Sequence, residues 1–426
     1  MKKFPPSFAY AELEFHEYTI GFENSYFEGG LPGERMKWLK NRIFEAAIIV
    51  FMIFVLLGVG EGIASFVLSS MRPILTTADI SLEDIAHSAA YENEPWVDDY
   101  LADQKRQTPA NGHYEPYVLW QNEQYSSTYR NYDENGYRVV LNPTKKSYLT
   151  EFNIYMFGAS TLAGAGILRD EDLIPTVVSR TLNGHYEDIQ VTVHNFGQGG
   201  YNQDQEIVQF LQILKTYPIP NLVIFYDGGG ELWQKVIFGR PHGAYNGFRR
   251  IFDDQHLPFL VKLKNSLIAR SSLAQWLFDE EPYHPFRGVI RDKLVLEENA
   301  KGMVADVERN YRYLSMLSEK LGFELMVIWY PMLASTGKPL SVEERALVAK
   351  ITENFEESLY ASWYSHELIA ASVSAGWLGN AFYDMTNALD EVPDSIMLDS
   401  SHMSAQGLRI MGQKISDKVI QAGFLD

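Results

Sequence analysis

Residues 46–60 hold nothing but apolar side chains and glycine, inside a longer run from Ile43 to Leu68 that carries Glu45 and Glu61. No other feature restricts the fold as much. Hydrocarbon offers no water to unpaired backbone groups, so a lipid-exposed run of this kind must satisfy its own N–H and C=O groups as a helix. A span needs ~20 residues at about 1.5 Å each. The run reaches that length with Glu45 and Glu61 at the headgroups, or with Glu61 against a partner. A buried helix of a soluble protein stays open as a second reading. A secretory signal fits less well, because residues 1–42 precede the run and no A-x-A-like site follows it. Arg35, Lys37, Lys40 and Arg42 stand before the run, while Glu83, Asp84, Glu92, Glu94, Asp98 and Asp99 follow with only Arg72 nearby. The positive-inside rule then makes 1–42 a cytoplasmic tail, 43–68 a transmembrane helix, and the remainder extracytoplasmic, on a single-pass cell-membrane protein.

Composition narrows the chemistry. The 426 residues carry a formal charge of -19, which argues against a general nucleic-acid-binding surface. Cysteine is absent, so disulfides, thiolate nucleophiles and cysteine metal sites are excluded. No spacing resembles a zinc motif.

Beyond the apolar run, residues 69–150 look like a lead-in. Residues 72–110 are polar and acidic, and the stretch 129–143 predicts strand, turn at Asn135-Gly136, strand. From 152 onward short apolar runs alternate with helical patterns. Strands are predicted at 152–158, 188–197, 221–230, 323–331 and, more weakly, 380–386. Ile207, Phe210, Leu211 and Leu214 trace one helix face. Met303, Val307, Tyr311, Leu314 and Leu321 trace a second, and Leu408, Met411, Ile415 and Val419 a third. Ser341 with Glu344 has the spacing of a capping box. Alternation of this kind predicts an α/β domain over 151–426, a parallel sheet between two layers of helices. Residues 232–298 break the rhythm and read as a partly helical insertion.

Ligands of such sheets bind outside the carboxyl ends of the strands. Gly158-Ala159-Ser160, Asn195–Gly200 and Asp227–Glu231 all fall at that edge, and Asp399 and His402 precede the last helix three residues apart. An Asp at that spacing can hold one imidazole nitrogen while the other takes a serine proton.

In order and position these four blocks resemble the SGNH (GDSL-type) hydrolase superfamily. They also resemble its membrane-anchored branch associated with bacterial surface polysaccharides, in which a β segment like 129–138 precedes the catalytic domain. The resemblance covers about 152–421. It implies a flavodoxin-like three-layer α/β/α domain, with Ser160 as nucleophile, His402 as base and Asp399 as its orienter. It also implies an oxyanion hole that includes the Gly200 N–H, with no cofactor and no metal. The expected activity is hydrolysis of an ester, on an acylated glycan or a similar substrate. An O-acyltransferase would use the same residues, and partners in a membrane complex remain open.

Two blocks depart from the pattern: Ala159 stands where the first usually has Asp, and the third departs where it matters more. Gly230 stands where the family places an oxyanion-donating Asn. Removing such a donor costs ~10²–10³ in rate. Asn195 or Asn202 could stand in for it, or the enzyme is slow, or the domain binds or scaffolds without catalysis. In a slow enzyme Gly230→Asn is expected to raise turnover. Glu231 reads as a cap of the following segment or as a partner for a base, and not as a catalytic residue.

Overall fold

A computed structural model describes residues 32–71, 82–106, 112–146, 148–239, 258–268, 270–278 and 289–426. The chain divides into two units near residue 65. The first carries most of α1 (Pro32–Met71), within which Met36–Val67 contains an 18-residue stretch of mean hydropathy 2.7 and is long and apolar enough to cross a membrane. The helix outruns the predicted span at both ends. Its flanking Glu, Arg and Lys are good helix formers and give the backbone no reason to stop where apolarity does. Residues 1–31 of the predicted tail lie outside the described residues.

The second unit is built on five parallel strands, namely β3 (Thr150–Gly158), β4 (Ile189–Asn195), β5 (Leu222–Asp227), β6 (Glu324–Trp329) and β7 (Phe382–Asp384). Their order is β4-β3-β5-β6-β7. Counted within the sheet this is 2-1-3-4-5, the flavodoxin-like doubly wound order. Every residue of β5 is buried, as a central strand covered on both faces requires. Right-handed crossovers fix the layers. The step from β3 to β4 runs one way along the sheet, and its helix α5 (Ile174–His185) lies on one face. Steps from β4 to β5, β6 and β7 run the other way. They put α6 (Gln203–Ile213), a 29-residue helix at Lys293–Leu321 and a kinked helix at Val342–Ser374 on the other face. The final helix, Ala405–Ala422, packs on α5. All five predicted strands are present. Ser341 caps the kinked helix, and its capping box with Glu344 is formed.

Two predicted boundaries change. Residues 82–106 are no loose lead-in. Helices α2 (Leu82–Ala86) and α3 (Val97–Arg106) bring Ile85, Tyr91, Trp96 and Tyr100 into the main core, so the domain begins well before 151. The predicted turn is there, with Gly136 donating to the Asp133 carbonyl at 3.0 Å and Tyr132 bridging Arg138 across it, while β1 (Tyr125–Ser126) and β2 (Asn131–Tyr132) pair antiparallel around the turn before it. The insertion is also shorter than 232–298. Val236, Ile237 and Leu296 are core residues, and the Ile290 N–H donates to the Ile237 carbonyl at 2.9 Å. The chain thus leaves and rejoins the domain at one point. Of that excursion, 240–257, 269 and 279–288 lie outside the described residues.

Candidate active site

Strand β3 runs to Gly158, and the short helix α4 (Ser160–Ala163) starts immediately after it. The turn leaves Ser160 half-buried at the carboxyl edge of the sheet, beside the switch point between β3 and β5. His402 arrives from the far end of the chain. Its Nε2 lies 2.7 Å from the Ser160 Oγ. Its Nδ1 lies 2.7 Å from Asp399 Oδ2. The other carboxylate oxygen, Oδ1, accepts the backbone N–H groups of Ser401 at 2.8 Å and His402 at 2.7 Å. A carboxylate only accepts, so Nδ1 carries the hydrogen and the lone pair of Nε2 faces the serine hydroxyl. Burial opposes a charge on His402, but the Asp399 carboxylate outweighs it by charge and hydrogen bond and holds the imidazole above its ordinary value.

The His402 loop is fixed from below. Glu344 Oε1 accepts the N–H groups of Ile396 and Met397 at 3.0 and 2.9 Å. Its Oε2 accepts the Lys338 ammonium at 2.6 Å, in a pair with no exposed side-chain surface. One capping residue therefore also tethers a loop 52 positions away.

The second loop, 195–201, is where the sequence says least. Gly200 has φ 77°, a left-handed conformation that favours glycine. Neither the Ser160 nor the Gly200 N–H has a hydrogen-bond partner among the described residues. Asn195 is spent on the backbone: its amide donates to the Leu162 carbonyl at 3.1 Å and its oxygen accepts the Gly197 N–H at 2.9 Å. It shapes the loop, with its oxygen and one amide hydrogen engaged there. Asn202 caps α6 through the Gln205 N–H and donates to Gln234. Four further groups, none foreseen from the sequence, hold this loop. The indole N–H of Trp120 donates to the Gly199 carbonyl at 2.8 Å. Gln234 donates to the Gly200 carbonyl at 2.6 Å. Gln198 donates to the Gly136 carbonyl at 3.2 Å and accepts the Asn122 amide at 2.9 Å. The β element before the sheet is thus a clasp on the loop. Its Arg138, with no exposed side-chain surface, also binds Asp170 at 2.6 Å and the carbonyls of Gly164 and Leu168 behind the Ser160 turn.

The third loop corrects an expectation. A side chain at Gly230 would place its Cβ 2.3 Å from the Tyr201 carbonyl oxygen, and backbone cannot yield as a flexible side chain would. No asparagine fits there while Tyr201 stays in place. Gly229 is as crowded, since a Cβ would meet the Tyr330 hydroxyl at 2.2 Å. That hydroxyl accepts the Gly229 N–H at 2.8 Å. Glu231 is a cap as read, accepting the Gly228 N–H at 2.9 Å, and it also accepts the Gln203 N–H at 2.6 Å. Beneath it lie Glu206 and Asp227. Burial first, then the charge of Asp227, pushes the Glu206 carboxyl well above its ordinary range. Burial does the same to Asp227.

The chain is similar to solved esterases. An acetyl xylan esterase, 13% identical, is matched over 100% of its own length by 63% of this chain, with a TM-score of 0.33. The acetylxylan esterase Axe2 from Geobacillus stearothermophilus is 13% identical and matches over 94% of its length and 63% of this chain, with a TM-score of 0.32. A member of the lipolytic protein G-D-S-L family from Veillonella parvula is 12% identical over 97% of its length and 62% of this chain, with a TM-score of 0.32. No family model matches the sequence, and no curated protein does. The chemistry is carried by the side chains placed above.

Proposed function

We propose that the protein is a membrane-anchored serine ester hydrolase. One observation carries the reading, the continuous line from Ser160 Oγ through both ring nitrogens of His402 to Asp399, each contact 2.7 Å. A serine hydroxyl is a weak nucleophile, and a base in contact with it removes the proton as the oxygen attacks an ester carbonyl. The tetrahedral oxyanion is received by the N–H groups of Ser160 and Gly200. His402 returns the proton to the leaving alkoxide, the bond to that alkoxide breaks, and an acyl-enzyme remains on Ser160. Water then attacks under the same base, releasing the acid and freeing Ser160. Asp399 keeps the imidazole in the tautomer that does both jobs. The apolar helix α1 supports anchoring in a membrane. An acylated glycan is the substrate class to which the sequence resemblance points. A sugar hydroxyl in place of water would give transfer by the same residues.

A fluorophosphonate probe tests this on the full chain in detergent. Wild type is expected to gain a covalent mass on the Ser160 peptide, and Ser160→Ala and His402→Ala are expected to gain none. An unlabelled wild type with a normal circular-dichroism spectrum sinks the esterase reading.

A further inference from the structure

Three glycines in a row, Gly228, Gly229 and Gly230, make up the third loop, and the mechanism above uses none of them. The Tyr201 carbonyl keeps Gly230 bare. Tyr330, the residue after β6, does the same for the other two. A Cβ on Gly228, whose φ is 145°, would touch the Tyr330 ring at 3.4 Å. A Cβ on Gly229 would lie 2.2 Å from the Tyr330 hydroxyl and 3.4 Å from the Ser401 Cβ. The glycines thus make room for a tyrosine beside the His402 turn.

Tyr330 is buried, and its ring stacks on Tyr226 with centroids 4.7 Å apart and planes 11° apart. The two tyrosines differ at their oxygens. The Tyr226 hydroxyl has no hydrogen-bond partner among the described residues. The Tyr330 hydroxyl accepts the Gly229 N–H at 2.8 Å and makes a hydrogen-bond contact with Thr161. Burial raises the phenol above its ordinary value, so it keeps its hydrogen. A hydroxyl that accepts from an N–H can still donate to a second neighbour, here the Thr161 oxygen. Thr161 directs its own hydroxyl to the Ser401 carbonyl, at a long 3.5 Å. Donation therefore runs one way, from Gly229 through Tyr330 and Thr161 to Ser401.

Thr161 follows Ser160, and Ser401 precedes His402. We propose that the Tyr330 hydroxyl is a positioning group for the nucleophile and its base, tying α4 and the His402 turn to each other through Thr161 and to the third loop through Gly229. Buried as it is, it acts through these neighbours and not on the substrate. By gripping the residue beside each partner, it sets how Ser160 Oγ and His402 Nε2 meet. The same segment holds the turn a second way, since the Leu333 N–H donates to the Ser400 carbonyl at 3.0 Å. Loss of the hydroxyl should therefore slow the site without abolishing it. The proposal rests on the reading of Ser160 as nucleophile.

The time course of fluorophosphonate labelling of the full chain in detergent separates geometry from folding. Its rate constant reports how well Ser160 and His402 meet, and its end point reports the folded fraction. Tyr330→Phe removes one oxygen and keeps the ring and its stack. The rate constant is expected to fall about tenfold at an unchanged end point, the scale of one buried hydrogen bond. Thr161→Val should lose a similar factor, and Thr161→Ser, which keeps the hydroxyl, should recover most of it. The double variant Tyr330→Phe, Thr161→Val should be no slower than the slower single one, because both break the same chain of bonds. Tyr226→Phe, which removes the unpartnered hydroxyl of the stack, should label at the wild-type rate. A lowered end point with an unchanged rate constant makes Tyr330 merely structural and overturns the proposal. Losses that multiply in the double variant overturn it too. If Tyr330→Phe does not accumulate, the Thr161 variants decide: equal rates for Val and Ser overturn the proposal, and a faster Ser upholds it. A folded wild type that never labels overturns the esterase reading itself, whereas a labelled wild type with unaffected variants overturns only the role of Tyr330.

Discussion

His402 and Asp399 are three residues apart and reach Ser160 through one 2.7 Å contact. The loop carrying Gly200 is held instead by Trp120, Asn122, Gly136 and Gln234, residues 34 to 79 positions away. Local geometry is enough for a proton relay, because a carboxylate and an imidazole at short spacing orient each other. An oxyanion donor is a backbone N–H and has no side chain of its own to aim it. It must be set by whatever grips the neighbouring carbonyls. The relay should therefore fail abruptly when one atom changes, and the loop should fail by degrees.

The largest effect is expected on the relay side. In Asp399→Asn the side-chain oxygen can still receive the Ser401 and His402 N–H groups, but an amide NH₂ meets Nδ1 and favours the wrong tautomer. Turnover of an aryl ester should drop by ~10⁴ with the fold intact. A loss of under tenfold would show that His402 is oriented by something other than this carboxylate.

Next in size is Gly230→Asn, where sequence and structure disagree on the sign. Restoring the family's donor predicts a gain. The 2.3 Å approach to the Tyr201 carbonyl predicts a loss, because Tyr201 directly follows Gly200 and must move. Overpacking of this kind costs about 1–3 kcal/mol, so both the denaturation midpoint and the ester turnover should fall. A gain in turnover would mean that the 200–201 segment can be displaced freely, and the contrast between the two sides would collapse.

Trp120→Phe is milder. It removes the bond to the Gly199 carbonyl and keeps most of the ring that packs on Tyr201 at 5.3 Å. A net hydrogen bond is worth about 1 kcal/mol, or roughly a fivefold loss in kcat if it is felt only when the oxyanion forms. KM should stay put. A fall in stability with kcat unchanged would make the clasp merely structural.

The same contrast explains what could be read in the sequence. Strands, helix faces and the Ser341–Glu344 box are local patterns, and they were legible. So were Ser160, Asp399 and His402 as a group of residues brought to one sheet edge. Helix α5 was not: its Thr, Val, Ser, Asn and Gly are poor helix formers, and it stands because Ile174, Val178 and Leu182 are buried in the core. The polar stretch 82–106 hid its role because its buried residues, Ile85, Tyr91, Trp96, Val97, Tyr100 and Leu101 among them, are scattered among charged ones. The crowding at Gly230 was hidden for a related reason. A motif position says which residue is missing, not which carbonyl fills the space.

The smallest effect separates the two sides by pH. Both hold a group shifted upward, the imidazole of His402 and the carboxyl of Glu206. On the proposed mechanism ester turnover needs neutral His402, so its acid limb should lie above the ordinary imidazole value of 6.5. The His402–Asp399 pair stabilises the fold fully below that ordinary value, and the contribution fades as pH rises through the raised one. Glu206 has the same sign for a different reason. Buried, it keeps a proton that the unfolded chain releases above the ordinary carboxylate range, so folding weakens as pH climbs toward its raised value. Glu206→Gln removes that proton from the balance while keeping an N–H donor beside Asp227. Its melting temperature should therefore decline less with rising pH than that of the wild type, while the acid limb of turnover stays where it was. Parallel melting curves would show that Glu206 does not titrate over the range. A displaced acid limb would show that the two sides are coupled, and that the clasped loop reaches the proton relay after all.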